Sequence, residues 1–309
     1  MSETRLKQLV GALAVVVVLW LVASVVSRAG DGAIGAGQDV AAFFDGLDAA
    51  SVTSVRIERP GDTIELVAEG GAWRVNGLRS DSGSVVRFFE TLTGAAVGDL
   101  AATNPANHER MGVSADSART LELAVGESTR TLLFGKEGPR VATIYARLPD
   151  QDDVYLVEGG LWAHLTRQLD DWRNRRMLAV DTSRVARIAV NRDGNAFTLI
   201  RADSAWTFED GSAARASQVR SVLGELGGGL VASRFVPNSD TLSARPAGGS
   251  TVAYSATGEV LAEVTVGRGL GEEGAGDRWG MVGGDSVRYR LPGFRVNLIV
   301  PTLESVRPE

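Results

Sequence analysis

The sequence predicts an α+β protein with one N-terminal transmembrane helix, followed by two tandem repeats of a mainly antiparallel β-sheet unit with a packed helix. Three observations support this fold class. An uninterrupted apolar run lies near the N-terminus, the remainder contains an internal duplication, and each copy combines strand-type alternation with one helix-type apolar stripe.

Residues 9–26 contain no charged residue and no proline. As a helix, about 18 residues rising ~1.5 Å each span about 27 Å, which is close to the hydrocarbon thickness of a bilayer. Arg5 and Lys7 precede this run, so the positive-inside bias predicts a cytoplasmic N-terminus. We therefore expect a single-pass protein of the bacterial inner membrane, held by lipid contacts of residues 9–26, with its bulk in the periplasm.

A cleaved signal peptide is the alternative interpretation of the same run. Signal peptides usually have a shorter apolar region, about 7–15 residues, followed by a small-x-small cleavage site. Ser27 and Ala29 flank an arginine here, which makes a poor site of that kind. We favour an uncleaved anchor, followed by glycine- and alanine-rich residues 29–37 that are typical of a flexible tether.

The internal duplication has an offset of 133 positions. This offset aligns Trp73 with Trp206, and tryptophan is rare in the chain. The same offset aligns further pairs, namely Val52 with Val185, Val55 with Ile188, Arg59 with Arg192, Gly61 with Gly194, Leu66 with Leu199, and Ala72 with Ala205. The predicted organisation is a cytoplasmic stub with the anchor (1–28), a flexible tether (29–47), a first repeat (48–158), a connecting helix and linker (159–180), and a second repeat (181–309).

Each copy begins with three predicted strands joined by short turns, which indicates an antiparallel meander. A helix follows: apolar residues recur at i, i+3, i+4 and i+7 from Val85 to Leu92, and the second copy repeats the stripe from Val219 to Leu226. We expect both stripes to pack on their own meanders. Four more strands are predicted to complete each unit, and Leu161, Trp162, Leu165, Leu169 and Trp172 are predicted to line one side of a connecting helix.

Candidate chemistry is sparse. The chain has no cysteine, and its net charge of −6 argues against nucleic-acid binding. His108 and His164 belong to no metal-ligand cluster, and we predict no catalytic, cofactor-binding or metal-binding residues and no cofactor. Residues 269–274 match G-x-G-x-x-G, but Glu272 and Glu273 would repel phosphate, so a loop between strands is favoured. A calcium site in the turn 150–153 competes with a solvated turn.

Several segments together resemble a known bacterial family. They are the opening strands with G-x-W-x-V, the Asn104-Pro105-Ala106 step, the LLFGK and YARLP strands, and the WRNRRML bridge. Over residues 48–300 the chain is similar to the bacterial domain of unknown function 4340. The resemblance implies a single-pass, envelope-facing protein associated with gliding-type ABC transport components, and it implies no catalytic residues. The second copy departs from the pattern, because it lacks a clear Asn-Pro step.

These expectations favour a non-catalytic, membrane-anchored interaction or scaffold protein, with ABC-transporter subunits or other envelope proteins as partners. The alternative is an envelope hydrolase or a glycan-binding protein with a site between the two repeats. A hydrolase needs a cleft with convergent acidic residues. A glycan-binding protein needs exposed aromatic rings, for which Trp162, Trp172 and Trp279 are the candidates.

Overall fold

The computed structural model describes residues 39–203, 205–237, 240–269 and 276–308. The predicted anchor, residues 9–26, lies outside these residues. No helix of the described part is long and apolar enough to cross a bilayer. The chain divides into two compact units at the junction of Arg173 and Asn174. Both contain an antiparallel sheet with helices, which gives the α+β class.

Unit 1 begins with α1 (39–44), where Val40 and Phe43 are buried in the core. The Arg130 side chain caps this helix, donating from Nη1 to the carbonyls of Phe43 (3.0 Å) and Asp45 (2.8 Å). Residues 39–44 therefore belong to the folded part of unit 1, although the sequence assigned them to the predicted tether, 29–47. Burial of the first helix in the core is the physical reason.

The sheet of unit 1 has nine strands in the order β4-β3-β2-β1-β6-β7-β8-β9-β5. The strands are β1 Val52–Arg59, β2 Asp62–Glu69, β3 Ala72–Val75, β4 Leu78–Arg79, β5 Ala96–Ala102, β6 Arg119–Val125, β7 Ser128–Glu137, β8 Thr143–Arg147 and β9 Val154–Glu158. The helix α2 (Ser82–Thr93) joins the meander to β5 at the far edge, and Asp81 caps it by accepting from the Ser84 amide. A 3-10 turn (Pro105–Asn107) and α3 (His108–Met111) then lead to β6.

The sheet of unit 2 has eight strands in the order β12-β11-β10-β14-β15-β16-β17-β13. The strands are β10 Arg187–Arg192, β11 Asn195–Ala202, β12 Ala205–Phe208, β13 Arg234–Phe235, β14 Ala247–Tyr254, β15 Val260–Gly267, β16 Arg278–Val282 and β17 Tyr289–Leu291. The helix α6 (Ala216–Gly224) follows β12 and continues as a π-helical turn, Glu225–Gly229. This order repeats that of unit 1 strand for strand, apart from β4, so the structure has a repeated architecture.

The register confirms the alignment that the sequence gives. Val55 lies opposite Leu66 in the first meander, and Ile188 lies opposite Leu199 in the second. All four side chains are fully buried on the face that the helix covers. Both helical stripes point into these cores, as expected: Phe88 and Leu92 of α2, like Val222 and Leu226 in the second copy, have no exposed surface.

The predicted connecting helix is wrong as a single element. The structure has two four-residue helices instead, α4 (Trp162–Leu165) and α5 (Leu169–Trp172). The break follows from Arg59, whose Nη1 donates to the carbonyls of Leu165 (3.3 Å) and Arg167 (2.8 Å), and Gln168 then adopts an extended conformation. We call residues 161–172 the closing segment of unit 1, because they pack over the sheet after its last strand.

Unit 2 ends with an equivalent closing segment, residues 293–306, which contains α7 (Gly293–Ile299) and α8 (Leu303–Val306). Arg192, aligned with Arg59, donates from Nη1 to the Val300 carbonyl at 2.7 Å. The N-cap amide of each long helix also bonds this segment: Asp81 to the Trp172 carbonyl (2.8 Å) and Arg215 to the Val306 carbonyl (2.7 Å). The duplication thus extends to individual hydrogen bonds.

Candidate interaction surface

The two histidines occupy separate places in unit 1. His108 Nε2 lies 2.8 Å from the Asp152 carbonyl, and His164 Nε2 lies 3.0 Å from the Thr91 hydroxyl. Burial, with smaller contributions from Arg167 and Arg87, lowers the pKa of His164 to about 4. A hydroxyl beside a neutral imidazole resembles a nucleophile–base pair, but Nδ1 of His164 is buried without a partner among the described residues. The pair therefore lacks the third group that orients a catalytic base.

The turn 150–153, the candidate calcium loop, is held by the guanidinium group of Arg147. The Arg147 side chain is buried, and its Nη1 donates to the carbonyls of Pro149 (2.8 Å) and Gln151 (3.1 Å). A guanidinium at the centre of the turn occupies carbonyl oxygens that a calcium ion would need. Within the described residues no group of His, Asp and Glu side chains could hold a metal ion.

The other charged and aromatic candidates contribute to the fold. Arg173 pairs with Asp170 at 3.1 Å. Trp172 and Trp279 are buried, and Trp162 lies beneath the Arg119 guanidinium, 4.3 Å from the ring centroid. These tryptophans do not form an exposed stacking surface. Glu272 and Glu273 of the G-x-G-x-x-G match lie outside the described residues, and β16 follows as predicted.

The two units differ in the face of each sheet that lies opposite the helix, which we call the open face. In unit 1 the centre of this open face is charged. Arg56 of β1 lies opposite Glu65 of β2 on one side and opposite Glu122 of β6 on the other. Its Nε donates to Glu58 at 2.8 Å, and this bond, with the nearby carboxylates, raises the pKa of Arg56. Such a face is strongly hydrated, and a partner would have to displace that water.

In unit 2 the same positions are uncharged. Ala189 takes the place of Arg56 and lies between Thr198 of β11 and Val252 of β14. Thr198 thereby replaces Glu65, Val252 replaces Glu122, and Asn191 replaces Glu58. The four charged side chains at the centre of one open face thus all have neutral counterparts in the other.

The open face of unit 2 holds a shallow cavity of about 280 Å³, and its nearest charged neighbour on β15 is Glu263, opposite Val252. Its lining includes small side chains of three adjacent strands together with one carboxylate, namely Ala189, Asn191, Ala196, Thr198, Ser250, Val252 and Glu209. At one end, Arg187 lies 3.9 Å from the centroid of the Tyr254 ring, and Ile200 beside them is 39% exposed. The surface offers hydroxyl, amide and methyl groups beside the Glu209 carboxylate.

A comparison with protein-family models gives one match, Domain of unknown function (DUF4340), over residues 73–247. The matched region runs from β3 into β14 and covers more than half of the chain. The chain belongs to this family. The resemblance inferred from residues 48–300 is therefore confirmed for the DUF4340 assignment. No curated protein and no solved structure gives a significant match.

The neutral face of this DUF4340 protein could not be recognised from the sequence pattern alone. The 133-residue offset does align Arg56 with Ala189 and Glu65 with Thr198. The position of Val252 opposite Ala189 needs the strand register, because β14 is offset from β6 by 130 residues rather than 133. Comparing side-chain charge between the two aligned copies would have pointed to part of this surface, at Ala189 and Thr198.

Proposed function

We propose that the chain is a non-catalytic, membrane-anchored protein of the bacterial envelope that binds a protein partner through the open face of unit 2. The observation that supports this proposal is the contrast between two equivalent faces. Burying a charged group without a partner costs several kcal/mol, whereas a neutral face avoids most of that cost. The open face of unit 2 therefore favours association, and that of unit 1 opposes it.

The partner we propose is a subunit of an ABC-type transport system of the gliding type, for which this chain is an accessory component. Two lines of support come from the sequence: the apolar run 9–26, which suits an inner-membrane anchor, and the resemblance of residues 48–300 to envelope-facing proteins. In this arrangement the interaction face lies in the periplasm, beside the transporter.

Exchanging residues between the two copies tests the proposed surface. Ala189→Arg combined with Thr198→Glu places on unit 2 the two charged side chains, Arg56 and Glu65, that lie opposite each other in unit 1. We expect partner capture in intact cells, by a photo-crosslinker placed at Ile200, to fall at least tenfold, because the new charges must be desolvated.

The matched control is the reverse exchange, Arg56→Ala with Glu65→Thr, which changes as many charges on unit 1. It should leave capture at Ile200 unchanged. Equal loss in both variants, or crosslinks to many unrelated proteins in the unmodified chain, would contradict a specific surface on unit 2. Mass spectrometry of the crosslinked product then decides whether the partner is a transport subunit.

The proposed topology has a direct test because the chain has no cysteine. Val141 is 98% exposed, so a Val141→Cys variant offers one accessible thiol on the folded part. With the outer membrane permeabilised, we expect a membrane-impermeant maleimide to label this variant in intact cells. Glu3→Cys should be labelled only after lysis. The opposite labelling pattern would contradict a periplasmic location.

A further inference from the structure

The closing segment of unit 1 is held on α2 by an aromatic cluster that contains a histidine. His164 of α4 packs against Phe88 of α2, with ring centroids 5.8 Å apart, and Phe88 packs edge-on against Trp172 of α5 at 5.5 Å. Trp172 has no exposed surface, and His164 is only 8% exposed. The one ionisable ring of this cluster is therefore part of the apolar contact that holds the segment.

Among the described residues the imidazole has one hydrogen bond, between Nε2 and the Thr91 hydroxyl, at 3.0 Å. Three buried polar atoms of the segment have no partner among the described residues: Nδ1 of His164, Nη1 of Arg167 and Nε1 of Trp172. A buried polar atom without a hydrogen bond costs about 1–3 kcal/mol. The segment is thus held by apolar packing and backbone bonds, while its side-chain polar groups weaken the docking.

The charged groups around His164 disfavour its protonated form. Arg87 on α2 and Arg167 on the segment itself both oppose protonation, in addition to burial. Asp170, a nearby carboxylate of the segment, pairs with Arg173 at 3.1 Å. On the sheet side, Arg59 brings another guanidinium and uses Asp62 as its own partner, at 2.6 Å. An imidazolium in this position would be a buried cation without a counterion.

The closing segment of unit 2 provides an internal reference. Its buried side chains are apolar, with Val296, Ile299 and Val300 almost fully inaccessible. Asn297, which aligns with His164 at the 133-residue offset, accepts a hydrogen bond from Arg192 at 2.8 Å and is exposed. The two segments share backbone bonding to their sheets, but only the first contains a titratable ring in its packed face.

We propose that the closing segment of unit 1 is an acid-sensitive latch: protonation of His164 releases residues 161–172 from α2 while the sheet of unit 1 stays folded. In the docked segment the pKa of His164 is about 4, so the ring stays neutral until the pH falls to that value. In a released segment its pKa returns to about 6.5. Docking is therefore at full strength above about pH 6.5 and weakens as the pH falls toward 4, because the released form binds the extra proton.

Hydrogen exchange of the full-length protein, measured between pH 7 and pH 4.5 and corrected for intrinsic rates, tests the latch. We expect the opening equilibrium of residues 162–172 to rise by about 50–100-fold over this range. We also expect these amides to exchange at least tenfold faster than those of β1 and β6 at pH 4.5. Residues 293–306 of unit 2 should show no comparable change with pH.

His164→Gln keeps a hydrogen-bonding side chain but cannot titrate in this range, so the rise should disappear. His108→Gln, which removes the other histidine, should retain it. The latch is refuted if the rise persists in His164→Gln, if it is absent from the unmodified chain, or if the segment and the sheet always exchange at the same rate. The comparison between the two closing segments needs no variant, so it stands even where His164→Gln does not fold.

Discussion

Replacing Trp172 by alanine is expected to destabilise unit 1 by about 3–5 kcal/mol, the range for removal of a large aromatic side chain from a core. The side chain is fully buried between Phe88 and His164, and α5 is too short to move into the resulting cavity while its backbone stays bonded to Asp81. Native-state hydrogen exchange of β1 and β6 in the purified protein measures the loss as a free energy of unfolding.

Two control variants separate the lost volume from the lost indole. Trp172→Phe removes an N–H that has no partner among the described residues, so it should cost much less, about 1–2 kcal/mol. Trp279→Ala alters the core of unit 2 and should leave exchange in β1 unchanged, since Trp279 packs with Val236 and Leu242. A cost below about 1 kcal/mol for Trp172→Ala would show that the closing segment is dispensable for the core of unit 1.

The parts of the fold that the sequence predicted correctly depend on local periodicity. The three-strand meanders alternate buried and exposed residues, and the helix stripe from Val85 to Leu92 is buried as its spacing requires. Local patterns determine these elements because the periodicity of a strand or helix by itself places each side chain on the buried or the exposed face.

The parts that the sequence did not predict depend on contacts between distant residues. β5 consists mainly of alanine and glycine, with low strand propensity and two register shifts, and it is a strand because it pairs with β9 at the far edge of the sheet. The break between α4 and α5 likewise follows from Arg59, more than a hundred residues earlier in the chain. The sequence of residues 161–172 alone therefore does not predict the break, because it contains no information about the position of Arg59.

Arg59 and Arg192 also show how a duplication can mislead a search for function. An arginine repeated at the same place in both copies invites a ligand-binding interpretation, yet each guanidinium bonds main-chain carbonyls of its own closing segment. The positions that differ between the copies are more informative here. The fold is kept, while four charged residues at the face centre of unit 1 have neutral counterparts in unit 2. This difference is the basis of the interaction surface that we propose.

Breaking the buried ion pair between Glu225 and Arg295 is expected to have the second large effect. Arg295 Nη1 donates to both carboxylate oxygens of Glu225, at 2.9 and 3.0 Å, and also to the Gly229 carbonyl. The Glu225 side chain is 8% exposed and that of Arg295 is 25% exposed. Arg295→Leu leaves a buried carboxylate without its cation and should destabilise unit 2 by about 3 kcal/mol.

Glu225→Leu combined with Arg295→Leu should cost less than Arg295→Leu alone, because no buried charge remains without a partner. The free energies of unfolding of the single and double variants, read from exchange in β10 and β14, give the coupling between the two side chains. Strict additivity would mean that the pair contributes no coupling. In that case the π-helical turn Glu225–Gly229 would have to be held by the Arg295 bond to Gly229 and by the apolar packing of Leu226 instead.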